Sequence, residues 1–174
     1  PREFDGLKRR IVEGSSQAID ANGALSLEAL DELCDAVEAP GAERVLIMNK
    51  KMRRLLTKAS RNVDIGGFIT YDQDNLGRKV RYYNEIPILV TDKNAQNVDI
   101  QGFTEGGSEN ETSIYCVAFG DALCTGIQGK IKGVPGISVR EFGEVPDAPV
   151  DRTRVEWYIG LAIKHGRSVA RLHG

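Results

Sequence analysis

Histidine, cysteine and aromatic residues are scarce in this sequence, and each shortage narrows what it can do. Two histidines, His165 and His173, and three cysteines, Cys34, Cys116 and Cys124, are spread over 174 residues. Neither histidine has a Cys or Asp at motif spacing, so no nucleophile pair and no four-ligand zinc site can be read from local pattern. The cysteines are odd in number and sit in apolar surroundings, which predicts buried, reduced thiols rather than a disulfide framework. No apolar run approaches the length of a membrane span, and Pro1-Arg2-Glu3-Phe4 lacks the pattern of a signal peptide. A start on proline is expected of a fragment or a processed chain. Charge of one sign is lacking too: 23 Lys and Arg face 25 Asp and Glu, a net charge of −2. Such a balance exerts no global pull on nucleic acid and is expected of a soluble globular chain.

What the sequence does have is a patterned last stretch, Asp151 to Gly174. Val155, Trp157, Ile159, Leu161 and Ile163 fall on every second residue, with Arg154, Glu156, Tyr158, Gly160 and Ala162 between them. Strict alternation predicts a strand with one buried face. A turn at Lys164 to Arg167 and a second apolar run from Ser168 to Leu172 complete an expected hairpin, the base of the fold. Gly160 and Ala162 leave a small, flat patch on the other face, where a further element can approach closely. That face is expected either to pair with a partner or to stay partly open to solvent.

Earlier segments are shorter. Phe4, Leu7 and Ile11 are spaced for a short helix, and an extended piece at 17–19 precedes a turn at Asn22-Gly23. Ser26 is placed to cap a helix striped by Leu27, Leu30, Cys34 and Val37, and Asn49 to cap a second, over 50–60, striped by Met52, Leu55, Leu56 and Ala59. Strands are expected at 45–48, 68–71, 79–83, 86–90, 113–119 and 137–142. Pro87 argues for an edge or a strand start. Residues 92–112 read as a surface loop with little to bury, Gly126 to Gly136 as glycines that shape loops or bulges, and 146–149 as a linker. At 174 residues the chain suits one large domain or two small ones.

Few motifs carry chemistry. Asp72, Asp74 and Gly77 occupy the first, third and sixth places of a calcium loop, but Leu76 and Tyr83 stand where ligands are required. Gly129-Lys130 would need a glycine at 124 and a hydroxyl at 131 to form a phosphate loop; Cys124 and Ile131 stand there. The basic cluster Lys50, Lys51, Arg53, Arg54, Lys58 and Arg61 could hold phosphate backbone. It has no interleaved aromatics, and the preceding helix offers a complementary face of Glu28, Asp31, Glu32, Asp35 and Glu38. A solvated or subunit-contact face is therefore the preferred reading.

The terminal run Val150 to Ile163 followed by His165 to Leu172 resembles the carboxy-terminal strands of tailed-phage major capsid proteins with the Hong Kong 97 fold. Further similarities follow in the order that family shows them: Glu3 to Leu7, Gly23 to Leu33, Leu46 to Leu55 and Ile86 to Asp92. The resemblance implies a mixed α/β (α+β) subunit with an axial domain over 26–149 and part of a peripheral domain over 1–25 and 150–174. It further implies self-association into hexamers and pentamers of an icosahedral shell around packaged DNA, in the virion or, during assembly, in the host cytoplasm. DNA contact is expected to be non-specific at most. The family's amino-terminal arm, extended loop and long spine helix precede the part matching Phe4 and have no counterpart in this sequence.

The expectation is a structural protein, not an enzyme: no catalytic residue, cofactor, metal, membrane or small-molecule substrate. Candidate subunit contacts are Glu28, Asp31, Glu32, Asp35, Lys50, Lys51, Arg53, Arg54 and Trp157. A nanocompartment shell around a protein cargo and a small nucleic-acid-binding module using the 50–61 helix are the alternatives.

Overall fold

A computed structural model describes residues 5–23, 25–39, 41–61, 69–73, 79–105, 110–131, 133–146 and 148–174. Phe4, Phe68 and the turn residues Asp74 to Arg78 lie outside the described residues, so the calcium-loop positions Asp74 and Gly77 carry no structural statement.

The chain is mixed α+β, with strands predominating. It begins with a one-turn helix, α1 (Leu7–Arg10), and a short strand, β1 (Ala18–Asp20). Helix α2 (Leu27–Asp35) starts at Ser26, whose hydroxyl accepts from Ala29 N at 3.1 Å. Strand β2 (Arg44–Asn49) runs directly into α3 (Lys50–Ala59), capped by the Asn49 side chain at 2.9 Å from Met52 N. Each cap satisfies an amide the first helical turn leaves without a partner.

Strands β3 (Ile69–Gln73), β4 (Lys79–Tyr83), β5 (Ile86–Thr91) and β6 (Ser113–Ala118) follow, and β13 (Val169–His173) closes the chain. Together they form a seven-stranded sheet in the order β1-β13-β6-β2-β5-β4-β3. β6 is buried along its whole length. Pro87 does lie at a strand start, yet β5 is interior: Pro87 pairs with Tyr82 on one side, and pairing with β2 begins only at Ile88. The missing amide therefore falls where no ladder bond to β2 is needed.

Alternation along β6 sorts the core into two layers. Ile114, Cys116 and Ala118 join Leu30, Leu33, Leu46, Met48, Leu56 and Leu172 beneath α2 and α3. Tyr115 and Val117 face the other way, toward Ile11, Cys124 and Val169, with Leu161 and Ile163 packed on them. All three cysteines are buried and free, as their surroundings predict.

The expected terminal hairpin does not form. The alternating run breaks at Trp157-Tyr158 into β11 (Ala148–Glu156) and β12 (Ile159–Ile163). β11 pairs antiparallel with β10 (Ser138–Val145), β12 pairs antiparallel with β7 (Cys124–Gln128), and β13 inserts between β1 and β6. Nor is the alternating face buried at its start: Val155 is 65% exposed, Trp157 52% and Ile159 41%. Only Leu161 and Ile163 reach the core. Two further expectations change. Gly126 lies within β7 rather than in a loop, and 146–149 includes the tip of the β10–β11 hairpin rather than a linker. A small hairpin of β8 (Lys130–Ile131) and β9 (Val134–Pro135) turns at Gly133, φ +84°. The seven-stranded sheet draws β1 and β13 from the two chain ends and its other strands from the middle, so both ends share one platform.

Candidate assembly surface

The charged faces of α2 and α3 lie on one side of the sheet, above a common apolar layer. Glu28, Glu32 and Asp35 project to solvent from α2, and Arg54 and Lys58 from α3. Of the others, Asp31, Lys50 and Lys51 are already engaged within the chain. Asp31 accepts from the Tyr83 hydroxyl at 2.5 Å and from Asn84 Nδ2 at 3.1 Å, holding α2 to the β4–β5 turn. Lys50 pairs with Asp92 at 2.6 Å; that hydrogen bond, with the Lys93 amide, holds the Asp92 carboxyl below its usual range. Lys51 lies 4.2 Å from the centre of the Phe103 ring. The Nε of Arg53 is buried without a hydrogen-bond partner. The two faces do not neutralise each other: among the described residues no ion pair joins α2 to α3. What remains is an acidic strip and a basic strip side by side, each open to a partner of opposite sign.

The more distinctive surface is the β10–β11 ribbon. Its eight- and nine-residue strands pair only with each other. Cross-strand register sets Val139 opposite Val155 and Arg140 opposite Arg154, which puts the valines on one face and the arginines on the other. The charged face closes on itself, because Glu156 bonds Arg154 at 2.6 Å and lies 3.8 Å from Arg140. The valine face stays bare, at 60% and 65% exposure. A bulge at Gly143, φ +73°, interrupts the pairing toward the tip. Half of the exposed large apolar side chains among the described residues fall within 137–159. A two-stranded ribbon is marginal alone in water, and a concentrated apolar surface of this kind marks an interface.

Trp157 and Tyr158 sit where this ribbon joins the body. With its amide oxygen toward the donors, Gln128 accepts from Trp157 Nε1 at 3.1 Å and from Gly136 N at 2.9 Å. Tyr158 O accepts from Gly129 N at 2.8 Å, and a Cβ on Gly129 would stand 2.9 Å from the Tyr158 Cβ, so a side chain at 129 would displace the junction. Gly160 and Ala162 are half-buried. What lies over Gly160 is Ile127 of β7, not a helix, and Ile127 is itself 52% exposed. That face therefore stays partly open.

Pattern reasoning missed one buried site. Arg171, 3% exposed in the centre of β13, donates to Ser113 Oγ at 2.8 Å and to Glu105 Oε2 at 3.2 Å, and stands 3.5 Å from Glu13. Ser113 also hydrogen-bonds Glu105, and Lys8 donates to the Glu105 carbonyl at 2.8 Å. The 92–112 segment, expected to have little to bury, thus delivers Glu105 and the buried Gln101 to the sheet. An arginine inside the apolar run Val169 to Leu172 was the available signal, since a buried guanidinium requires acceptors. The constellation ties α1, the 92–112 segment, β6 and β13 together. Its serine is fully buried and already hydrogen-bonded, which suits a structural lock and not a nucleophile. Among the described residues no group of three His, Cys, Asp or Glu side chains is placed to hold a metal ion, and no helix is long and apolar enough to cross a membrane.

Comparison with protein-family models, with curated proteins and with solved structures finds no match.

Proposed function

We propose that this chain is a structural subunit of a self-assembling shell, a major capsid subunit of a tailed phage or prophage, and that its work is mechanical rather than catalytic. The observation that carries the reading is the β10–β11 ribbon: long, paired only with itself, with Arg140, Arg154 and Glu156 drawn together on one face and Val139 and Val155 bare on the other. A symmetric shell needs such surfaces, since each subunit must offer area that only its neighbours cover. The ordered resemblance of the terminal run and four upstream segments to Hong Kong 97-type capsid proteins supports the same reading. On that reading 26–149 forms the axial domain, 1–25 with 150–174 contributes to the peripheral domain, and the acidic and basic strips on α2 and α3 meet their opposites on adjoining subunits. Packaged DNA would touch the shell non-specifically. A dedicated nucleic-acid module is less well supported, because Lys50 and Lys51 are held by Asp92 and Phe103.

Sedimentation over a range of concentrations tests the proposal, with electron microscopy of any large species. The chain should self-associate, and Val139→Asp with Val155→Asp should abolish association while leaving the unfolding midpoint of the core unchanged. Association that persists in this double variant would remove the ribbon from the interface, and a chain that stays monomeric at every concentration would count against the shell reading.

A further inference from the structure

Two of the three thiols meet in the core. Cys34 stands in the last turn of α2, on the side that brings Leu30 and Leu33 to the sheet, and Cys116 is the middle member of the helix-facing row Ile114, Cys116 and Ala118 on β6. α2 lies directly against β6, where the ladder partners of Cys116 are Leu46 on β2 and Ala170 on β13. The Cys34 thiol donates a hydrogen bond to the Cys116 sulfur. Closing such a contact to a sulfur–sulfur bond of about 2 Å takes a small movement of two side chains. Cys124 belongs to the other core layer, with Val117 and Val169.

The two thiols are chemically unequal. The hydrogen bond from Cys34 holds the Cys116 thiol below its ordinary range in spite of burial, with the Arg44 guanidinium acting in the same direction. Cys116 is therefore the sulfur that favours the thiolate, the nucleophilic form. Donating that bond, and then burial, raise the Cys34 thiol, which keeps its proton. Arg44 is fixed beside the pair: its Nη1 donates to the Cys34 carbonyl at 3.2 Å, joining the start of β2 to the end of α2. Asp31, one turn earlier on α2, also opposes a charge on Cys34, while its carboxylate is taken up by Tyr83 and Asn84. A thiolate next to a protonated second thiol is the pairing of an attacking and a resolving cysteine. Cys34 is 6% exposed and Cys116 0%, so access is limited to a small oxidant.

We propose that Cys34 and Cys116 are a reversible redox pair, closed to a disulfide by a peroxide, that locks α2 to β6. The Cys116 thiolate attacks one oxygen of hydrogen peroxide; the O–O bond breaks, hydroxide leaves and takes up a proton as water, and Cys116 becomes a sulfenic acid. The Cys34 sulfur then attacks the Cys116 sulfur, the S–O bond breaks, and the hydroxyl departs with the Cys34 proton as a second water. Two electrons pass from the thiol pair to the peroxide, and dithiothreitol, a small dithiol, returns them by exchange. The lock lies within one subunit, so the inference is independent of the shell reading. Its test is peroxide treatment of the folded 174-residue chain, followed by maleimide labelling in urea and non-reducing peptide mapping by mass spectrometry. A mass lower by two hydrogens, a linked Cys34–Cys116 peptide and a single labelled thiol, Cys124, are expected in place of three free thiols. The oxidised chain should unfold at higher urea than the reduced one, because the link restricts the unfolded chain, and dithiothreitol should reverse every change. Cys124→Ser should form the link as before, and Cys34→Ser should stop at a sulfenic acid on Cys116 that dimedone traps. Val139→Asp with Val155→Asp should also form it as before. The proposal is overturned if treated wild-type chain keeps three free thiols, if its link includes Cys124 or joins two chains, or if Cys116 is oxidised to the sulfinic acid without a link. Loss of the link in the ribbon variant would make it a product of association and overturn the proposal as well.

Discussion

Single residues decide how firmly the two ends of this chain are held. Arg171 is the clearest case, because its guanidinium is buried against Glu105 and Ser113 and faces Glu13 at the surface. Replacing it by leucine keeps the apolar stem but leaves the Glu105 carboxylate with only Lys8, 4.0 Å away, as charge partner, which should cost about 3 kcal/mol. Adding Glu105→Gln should return part of that loss, and urea denaturation of the two variants measures the difference. Tyr83 sets a pH dependence. Burial, then its hydrogen bond to Asp31, holds its phenol well above the usual value. The folded form therefore keeps a proton that the unfolded chain gives up near pH 10, so this contribution is full below that pH and falls as pH rises further. Denaturant midpoints between pH 8 and 11 should decline, and more shallowly in Tyr83→Phe. Equal slopes in the two proteins would show that Tyr83 is not the group responsible.

At the level of elements, caps of the same kind differ in worth because of what lies behind them. Ser26 is exposed and its hydroxyl accepts from Ala29 N, so Ser26→Ala should cost about 1 kcal/mol. Asn49 is 6% exposed; it caps α3 and also donates to Thr112 Oγ1 at 3.0 Å, tying β2 to the start of β6. Asn49→Ala should cost about 2–3 kcal/mol, since a buried hydroxyl loses its donor as well. Thermal or urea unfolding of the two variants gives the ratio. Both caps could be read from sequence because a cap is local: Ser26 and Asn49 each act within three residues. The same holds for most of the expected strands, whose composition and bounding turns lie within the segment itself. Strand partners are another matter. The run from Val155 to Ile163 alternates as one strand, but the backbone leaves the ribbon at Trp157-Tyr158 to pair with β7, and nothing in the period marks that departure. β12 and β13 are neighbours in sequence with a glycine turn between them, yet their partners come from 18–20, 113–118 and 124–128. Non-local pairing of this kind is fixed by the whole core, not by adjacent residues. The Arg171 site was hidden for the same reason, since Glu105 and Ser113 are far from it in the chain.

Across the whole molecule, stability is unevenly distributed, and the distribution bears directly on function. β6 lies in the middle of the sheet, buried on both faces, with β13 and β2 hydrogen-bonded on either side. The β10–β11 ribbon has hydrogen bonds across a single seam, an open valine face and no second layer. Opening free energies should follow that contrast, because local opening is easiest where few buried apolar groups must be exposed. In dilute solution, amides of β6 and β13 should exchange slowest and those of Ser138–Val145 and Ala148–Glu156 should be among the fastest. In an assembled state the largest change should fall on the ribbon: its protection should rise sharply while that of β6 stays as it was. Hydrogen exchange read by mass spectrometry, at low concentration and after association, makes the comparison on one sample. A ribbon already as protected as β6 in the monomer would be stable without a neighbour, and the physical reason for assigning it to an interface would be gone.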